Sequence, residues 1–150
     1  MLIVKEAVAD KEINYCFNIR ESVFINEQQV PPNIERDCLD KTAVHFIAID
    51  DGFPVGTARV VIDGDDVAII GRVAVLKDYR GKGIGKKIIQ AIETADSMKH
   101  VKIFKMHAQT QAINFYIGLG YEPYGDEYVE ADMPHKNVRK VRIGVGNNIG

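Results

Sequence analysis

The chain has 150 residues, 46% of them hydrophobic and 27% charged, and its formal net charge is −2 at pH 7. This composition is typical of one folded domain and excludes a disordered chain. The small negative charge argues against general binding to nucleic acids or anionic lipids, and no apolar run in the sequence approaches the roughly 20 residues needed to cross a bilayer.

The N-terminal segment and the two cysteines indicate a cytoplasmic protein. The opening sequence MLIVKEAVADKE has too short an apolar stretch for a secretory signal. Cys16 and Cys38 lack a metal-ligand spacing such as Cys-x-x-Cys, so we expect reduced thiols and no metal site. Because no repeat, low-complexity tract or linker interrupts the sequence, residues 1–150 are expected to form a single domain.

The first half of the chain predicts a strand, a helix and a three-stranded meander. Asp10 is expected to cap the helix, whose apolar stripe includes Cys16 and Phe17 and also carries Arg20. The polar stretch 26–41 predicts a loop with room for a short helix. Asp-Gly pairs between the meander strands are typical of hairpin turns. The predicted strands of this half cover residues 2–6, 45–50, 54–62 and 67–75.

The second half changes to a helical period and then alternates strands and helices. Apolar residues at helical spacing predict a helix over residues 84–98, and a second, short helix is predicted to end at Gly120. Together with the meander, this order predicts an α+β or mixed-sheet domain. The predicted strands of this half cover residues 101–108, 121–129 and 138–145.

The stretch DYRGKGIGK, residues 78–86, lies between a predicted strand and the long predicted helix. The first N–H groups of a helix lack internal partners, and glycines let the backbone approach a phosphate closely. Arg80, Lys82 and Lys86 add positive charge, so the stretch predicts a diphosphate site. It is neither a P-loop, which needs Gly where Arg80 stands, nor a dinucleotide motif, which needs Gly where Lys86 stands.

Two motifs together resemble the GNAT acetyltransferase superfamily over nearly the whole chain. The loop has the pattern Arg-x-x-Gly-x-Gly at residues 80–85, soon after the strand that ends at Val75. The stretch AINFYIGLGY, residues 112–121, places a tyrosine before a Leu-Gly-Tyr ending, similar to the next motif of that superfamily. Residues 20–28, 107–109 and 133–135 further resemble the ElaA/YjcF-like branch.

The resemblance implies a fold and a cosubstrate. A GNAT-like fold has a mostly antiparallel central sheet, here of six to seven strands with about four helices, which splays between its fourth and fifth strands. Acetyl-CoA lies in that splay, with the N–H of Val75 expected to donate to the acetyl oxygen and the glycine loop to hold the pyrophosphate. The expected cosubstrate-binding residues are Val73, Ala74, Val75, Arg80, Gly81, Lys82, Gly83, Ile84, Gly85, Asn114 and Tyr116.

The implied reaction is N-acetylation, in which a neutral amine attacks the thioester directly in a ternary complex. Tyr116 matches the tyrosine of the family that protonates the leaving thiolate, although it also fits the apolar stripe of its helix. His135 is the preferred base, because Met133-Pro134-His135 is similar to the histidine element of glyphosate acetyltransferase-like enzymes. Val138 stands where that element has a methionine, and Glu27 is the second candidate base.

The acceptor is expected to be a small-molecule amine bound by Arg20, Phe24, Glu27 and Arg72. An arginine on the buried side of a helix needs an acidic partner, so Arg20 is expected either in a substrate pocket or in a structural salt bridge. A homodimer is the default expectation for a small soluble enzyme. Two other functions stay open: an acyl-homoserine lactone synthase-like acyltransferase, suggested by the pattern Arg20, Phe24, Glu35-x-Asp37 and Asp40, and a non-catalytic CoA-binding module.

Overall fold

Seven strands and four α-helices occur in residues 1–142, the part of the chain that the computed structural model describes. The strands are β1 (Leu2–Ala7), β2 (Val44–Asp50), β3 (Phe53–Asp63), β4 (Val67–Val75), β5 (Ile103–Gln109), β6 (Glu122–Glu130) and β7 (Met133–Val141). The helices are α1 (Asp10–Arg20), α2 (Pro32–Glu35), α3 (Ile84–Thr94) and α4 (Ile113–Gly118), and a π-helical segment, Glu21–Glu27, continues α1. Among these residues no helix is long and apolar enough to cross a membrane.

The strands form one mixed sheet in the order β1-β2-β3-β4-β5-β7-β6, in which β4 and β5 are the only parallel neighbours of the described residues. Pairing between β4 and β5 ends at Ile70 and Met106. Beyond that point β4 stays paired with β3, and β5 stays paired with β7 as far as Gln109. The sheet therefore opens between its fourth and fifth strands, which confirms the predicted fold.

Helices α1 and α3 lie on opposite faces of the sheet, because successive side chains of β2 contact one helix and then the other. Phe46 and Ala48 pack in one core cluster with Ile88 of α3, whereas Ile47 packs with Cys16 of α1. Successive strand residues point to opposite faces, so a strand that is buried on both sides reads as a continuous apolar run. The sheet is thus the middle layer, with its central strands covered from both sides.

Helix α3 packs against the sheet through an apolar stripe that includes the buried Ile84, Ile88 and Ile92. The prediction that it extends to Met98 is wrong, because the chain becomes extended at Ala95 (ψ 143°). A short 3-10 turn, Asp96–Met98, then brings Met98 back into the core, where it is 1% exposed. Met98 therefore keeps the apolar pattern of the helix although it lies outside it.

Other predicted boundaries differ from the structure. Ala9, not Asp10, is the N-cap of α1, and its N–H donates to Oε1 of Glu12 (3.4 Å). The short helix predicted within residues 26–41 is present as α2, and the π-helical turn and a 3-10 turn over Cys38–Lys41 lie on either side of it. The last strand begins at Met133 instead of Val138 because it pairs with the whole of β5; residues 143–145 of the predicted strand lie outside the described residues.

Candidate active site

The opening between β4 and β5 forms a cleft of about 520 Å³. Five residues that the sequence assigned to the site line this cleft from four different elements: Phe24, Arg72, Val73, Tyr116 and His135. Beyond Ile70 the edge of β4 that faces β5 has no strand partner, so backbone groups on that edge are free to bind a ligand. The predicted positions Val73, Ala74 and Val75 lie in this unpaired part of β4.

The glycine loop presents free backbone N–H groups at the start of α3. Gly81 and Gly83 both have φ of 78°, and a Cβ placed on either would meet no atom within 4 Å. Within residues 1–142, no backbone carbonyl accepts a hydrogen bond from the amides of residues 81–86, whereas Lys87 donates to Gly83. Free amides, open space and the positive end of an 11-residue helix together make an anion site.

Arg80 ties this loop to the end of β4 and to the π-helical segment. Its Nε donates to the carbonyl of Val75 (2.9 Å), and its Nη2 donates to Oε1 of Glu27 (2.8 Å). Glu27 is thereby engaged by the loop arginine and is absent from the residues, among those described, that line the cleft. The geometry consequently does not bring Glu27 to the cleft as a base or as a substrate ligand.

Helix α4, which carries the predicted residues Asn114 and Tyr116, lies against the start of α3. The ring of Phe115 lies 3.4 Å from the Cβ position of Gly85, so α4 lies against the first turn of α3. Asn114 is exposed beside Phe115. Tyr116 is 9% exposed and its ring packs near Phe115 and Tyr121, with centroids 5.1 and 6.3 Å away.

The ring of Tyr116 is packed in the core, and the residue also lines the cleft. No described residue forms a hydrogen bond to the Tyr116 hydroxyl. Burial raises the pKa of Tyr116 to about 12, so the phenol keeps its proton at neutral pH. The packing role and the proton-donor role that the sequence left open are compatible in this position.

His135 lies on β7 with one ring nitrogen held by the backbone. Its Nδ1 is 2.8 Å from the carbonyl oxygen of Met133. Because a carbonyl can only accept, Nδ1 carries the hydrogen in the neutral ring and Nε2 keeps its lone pair. The ring is 5% exposed, stacks on Tyr128 at 5.9 Å and lines the cleft. His135 is therefore arranged as a proton acceptor.

Comparison with known proteins places this arrangement in a family. The family model described as Acetyltransferase (GNAT) domain matches residues 41–123, more than half of the chain. The chain belongs to the GNAT acetyltransferase family. The uncharacterized N-acetyltransferase YjcF of Bacillus subtilis is 34% identical over 132 residues, which cover 87% of this chain and 94% of YjcF. GNAT membership makes the chain an acyltransferase, as the sequence predicted.

Two solved structures extend this comparison to the fold. An acyl-CoA N-acyltransferase from Pseudomonas aeruginosa superimposes with a TM-score of 0.80 at 26% identity, covering 94% of this chain and 99% of that chain. Escherichia coli ElaA has a TM-score of 0.81 at 24% identity, covering 93% and 99%. The likeness to YjcF in sequence confirms the predicted branch of the GNAT family, and ElaA shares the fold.

One wall of this GNAT cleft is held by buried ion pairs around Arg20. Arg20 is 1% exposed, with Nε 2.7 Å from Oε2 of Glu35 and Nη1 2.7 Å from Oδ1 of Asp40. Burial opposes ionisation of Asp40, but hydrogen bonds from Arg20 and Arg59 outweigh it and hold the pKa of this carboxyl well below its usual range. Arg20 does not line the cleft, so the geometry favours the structural salt bridge over the substrate pocket.

Arg59 and Arg72 continue the same network to the cleft surface. Arg59 Nη1 lies 2.6 Å from Oδ1 of Asp37 and 2.9 Å from Oδ1 of Asp40. Arg72, at a bulge in β4 with φ of 52°, donates through Nε to the carbonyl of Glu35 (3.0 Å) and lies 3.4 Å from the Asp37 carboxylate. Arg72 reaches the cleft, as predicted for a substrate ligand, but its guanidinium already binds α2 and the residues after it.

The sequence analysis missed Glu130 and assigned no site role to His107, although both line the GNAT cleft beside His135. Glu130 ends β6, with Oε2 3.8 Å from Nε2 of His135 and Oε1 3.5 Å from Nδ1 of His107. The pairing of β7 with both β5 and β6 brings these side chains together, and the β5–β7 register depends on long-range pairing. The only local signal was a glutamate at the end of a predicted hairpin strand.

Proposed function

We propose that this GNAT enzyme transfers the acetyl group of acetyl-CoA to an amine by direct attack in a ternary complex. The observation that carries the proposal is that Tyr116 and His135 line one cleft, at the point where β4 is no longer paired with β5. A proton donor for a thiolate and a proton acceptor for an amine are the two groups that aminolysis of a thioester requires.

The cosubstrate is proposed to lie along the unpaired edge of β4. Backbone groups of Val73, Ala74 and Val75 would bind the pantetheine, and the N–H of Val75 would donate to the thioester oxygen as negative charge develops there. The diphosphate would sit on the free amides between Gly81 and Gly85, where the helix N-terminus favours an anion. Asn114 and Tyr116 on α4 would complete the site near the sulfur.

In the proposed reaction, the amine nitrogen attacks the carbonyl carbon of the thioester. Nε2 of His135 takes the proton that the nitrogen loses, and the carbon–sulfur bond breaks as the tetrahedral intermediate collapses. The Tyr116 hydroxyl gives its proton to the departing thiolate and recovers one from solvent. The products are the N-acetylated amine and free CoA, so no covalent enzyme intermediate forms.

A thiol-release assay tests this function. The full chain is incubated with acetyl-CoA and a broad panel of amines, and free CoA and acetylated products are measured. We expect CoA release that depends on an amine and that equals the acetylated product in amount. Tight binding of acetyl-CoA with no turnover across the panel, or turnover only with acyl groups supplied by an acyl-carrier protein, would contradict the proposal.

A further inference from the structure

The ionised side chains in and behind the cleft lining fall into two groups that differ in charge balance: a network of arginines and carboxylates, and Glu130 with its neighbouring imidazoles. The first group, near β3 and α2, has three arginines, Arg20, Arg59 and Arg72, matched by three carboxylates, Glu35, Asp37 and Asp40. Each arginine lies within 3.4 Å of a carboxylate oxygen, so this group has no surplus positive charge. An acidic group on a substrate would have to displace one of these internal ion pairs to bind there.

Glu130 is the exception among the carboxylates that line the cleft. Within residues 1–142, Glu35 and Asp37 are paired with arginines, whereas the only basic side chains within 4 Å of the Glu130 carboxylate are the imidazoles of His107 and His135. The Glu130 side chain is 44% exposed, so it can receive a ligand from the cleft. Its negative charge lies 3.8 Å from the ring nitrogen that is arranged to accept a proton.

Part of the cleft lining is apolar. Its apolar side chains come from the segment between α1 and β2 and from β3 and β4: Phe24, Val30, Ile34, Leu39, Val61 and Ile69. Ile34 and Leu39 are 46% and 43% exposed although they are large hydrophobic residues. Exposed apolar side chains on a concave wall are typical of a surface that a ligand covers.

We propose that the acceptor is an amine with an apolar body and no acidic group, whose ammonium is bound by Glu130. The proposal rests on the proposed function: Nε2 of His135 first takes one proton from the bound ammonium and releases it to solvent, and it then takes the second proton as the neutral nitrogen attacks. Glu130 attracts the charged form and His135 takes its proton, so the two residues act in sequence on one nitrogen. The apolar body lies on the wall of Ile34 and Leu39, where a carboxylate would lose its hydration without gaining a partner.

Matched acceptor pairs test this assignment directly. Phenethylamine and phenylalanine, and isoamylamine and leucine, differ only in the carboxylate beside the amine. The specificity constant kcat/KM of each is measured with acetyl-CoA by thiol release on the unmodified enzyme. We expect each simple amine to exceed its amino acid by at least about ten-fold.

The variant Glu130→Gln tests the residue itself. It is expected to raise KM for the simple amines by at least about ten-fold while leaving the Kd of acetyl-CoA and the Tm unchanged, because only the ammonium loses its partner. Glu127→Gln is the matched control, since Glu127 lies on the same strand, is exposed and forms no ion pair among the described residues.

Equal or faster turnover of the amino acids, with amines still acetylated, would overturn the acceptor class and leave the proposed function standing. An unchanged KM in Glu130→Gln relative to Glu127→Gln would overturn the role of Glu130. Failure of every amine on an enzyme that binds acetyl-CoA would overturn the proposed function and this inference with it. The comparison of acceptor pairs needs no variant, so the acceptor class stays testable even if Glu130→Gln does not fold.

Discussion

His135 and Tyr116 owe their chemical states to the structure around them. The carbonyl of Met133 assigns the hydrogen of His135 to Nδ1, and burial keeps the Tyr116 phenol protonated by raising its pKa to about 12. The Glu130 carboxylate lies 3.8 Å from the other ring nitrogen of His135, Nε2. At the scale of residues, the cleft therefore brings together an imidazole nitrogen with a free lone pair and a phenol that keeps its proton at neutral pH.

Replacing His135 with Gln removes the proposed base. We expect kcat to fall by about 10²-fold or more with little change in the Kd of acetyl-CoA, because the imidazole acts on the amine. Steady-state kinetics and calorimetry check both quantities. The matched control is His100→Gln, which changes an exposed histidine outside the cleft; equal kcat in the two variants would contradict the assignment.

Tyr116→Phe keeps the packed ring and removes only the hydroxyl. We expect kcat to fall by about 10²-fold with the stability and the cosubstrate affinity close to those of the unmodified chain. Because burial raises the pKa of Tyr116 to about 12, ionisation of this residue should cause no loss of activity below about pH 11. Tyr15→Phe on α1 is the control, and wild-type turnover in Tyr116→Phe would remove the acid role.

At the scale of elements, ion pairs connect α1, α2 and β3 beneath the cleft. Arg20 on α1 reaches both Glu35 on α2 and Asp40, and Arg59 on β3 shares Asp40 and holds Asp37. Outside helices and strands, the backbone hydrogen bonds of the segment between α1 and β2 are local, such as those from Val30 to Phe24 and from Ala43 to Leu39. Its position as a cleft wall therefore depends on these side chains.

Removal of Arg20 should be costly for this reason. The variant Arg20→Met leaves two buried carboxylates without their main partner, and we expect it to lower the free energy of unfolding by about 3–5 kcal/mol. Urea unfolding measures the change. Arg139→Met, which breaks an exposed pair with Glu122, should cost at most about 1 kcal/mol, and a similar small loss in Arg20→Met would contradict the structural role.

At the scale of the whole molecule, the sequence predicted the order of elements better than their ends. The glycine loop, the meander and the splay followed from local signals and from family motifs around Gly83 and Tyr116. The apolar spacing predicted that α3 reaches Met98, but the helix ends earlier. Met98 fits the spacing because it is buried, and a residue can be buried without being helical. Glu130 was missed since its nearness to His135 comes from pairing among β5, β7 and β6, which a local pattern does not contain.

The same ion pairs predict how the molecule responds to acid. Hydrogen bonds from Arg59 outweigh desolvation and lower the pKa of Asp37, and the pKa of Asp40 is also lowered, from the ordinary value of 3.8. A carboxyl with a lower pKa in the folded state stabilises it fully above the unfolded value, and this contribution is lost as the pH falls through the folded value. Unfolding experiments should show stability that declines steadily below about pH 4; a constant free energy of unfolding down to pH about 2.5 would contradict this.

The central claim is that the amides at the start of α3 bind the diphosphate of CoA. Calorimetric titration of CoA into Gly83→Asp and Gly83→Asn tests it most directly, because both variants place a side chain of similar size at the same positive φ and only one carries a negative charge. We predict that Asp weakens the Kd at least about ten-fold more than Asn does. Equal CoA affinity in Gly83→Asp and the unmodified chain would contradict the account.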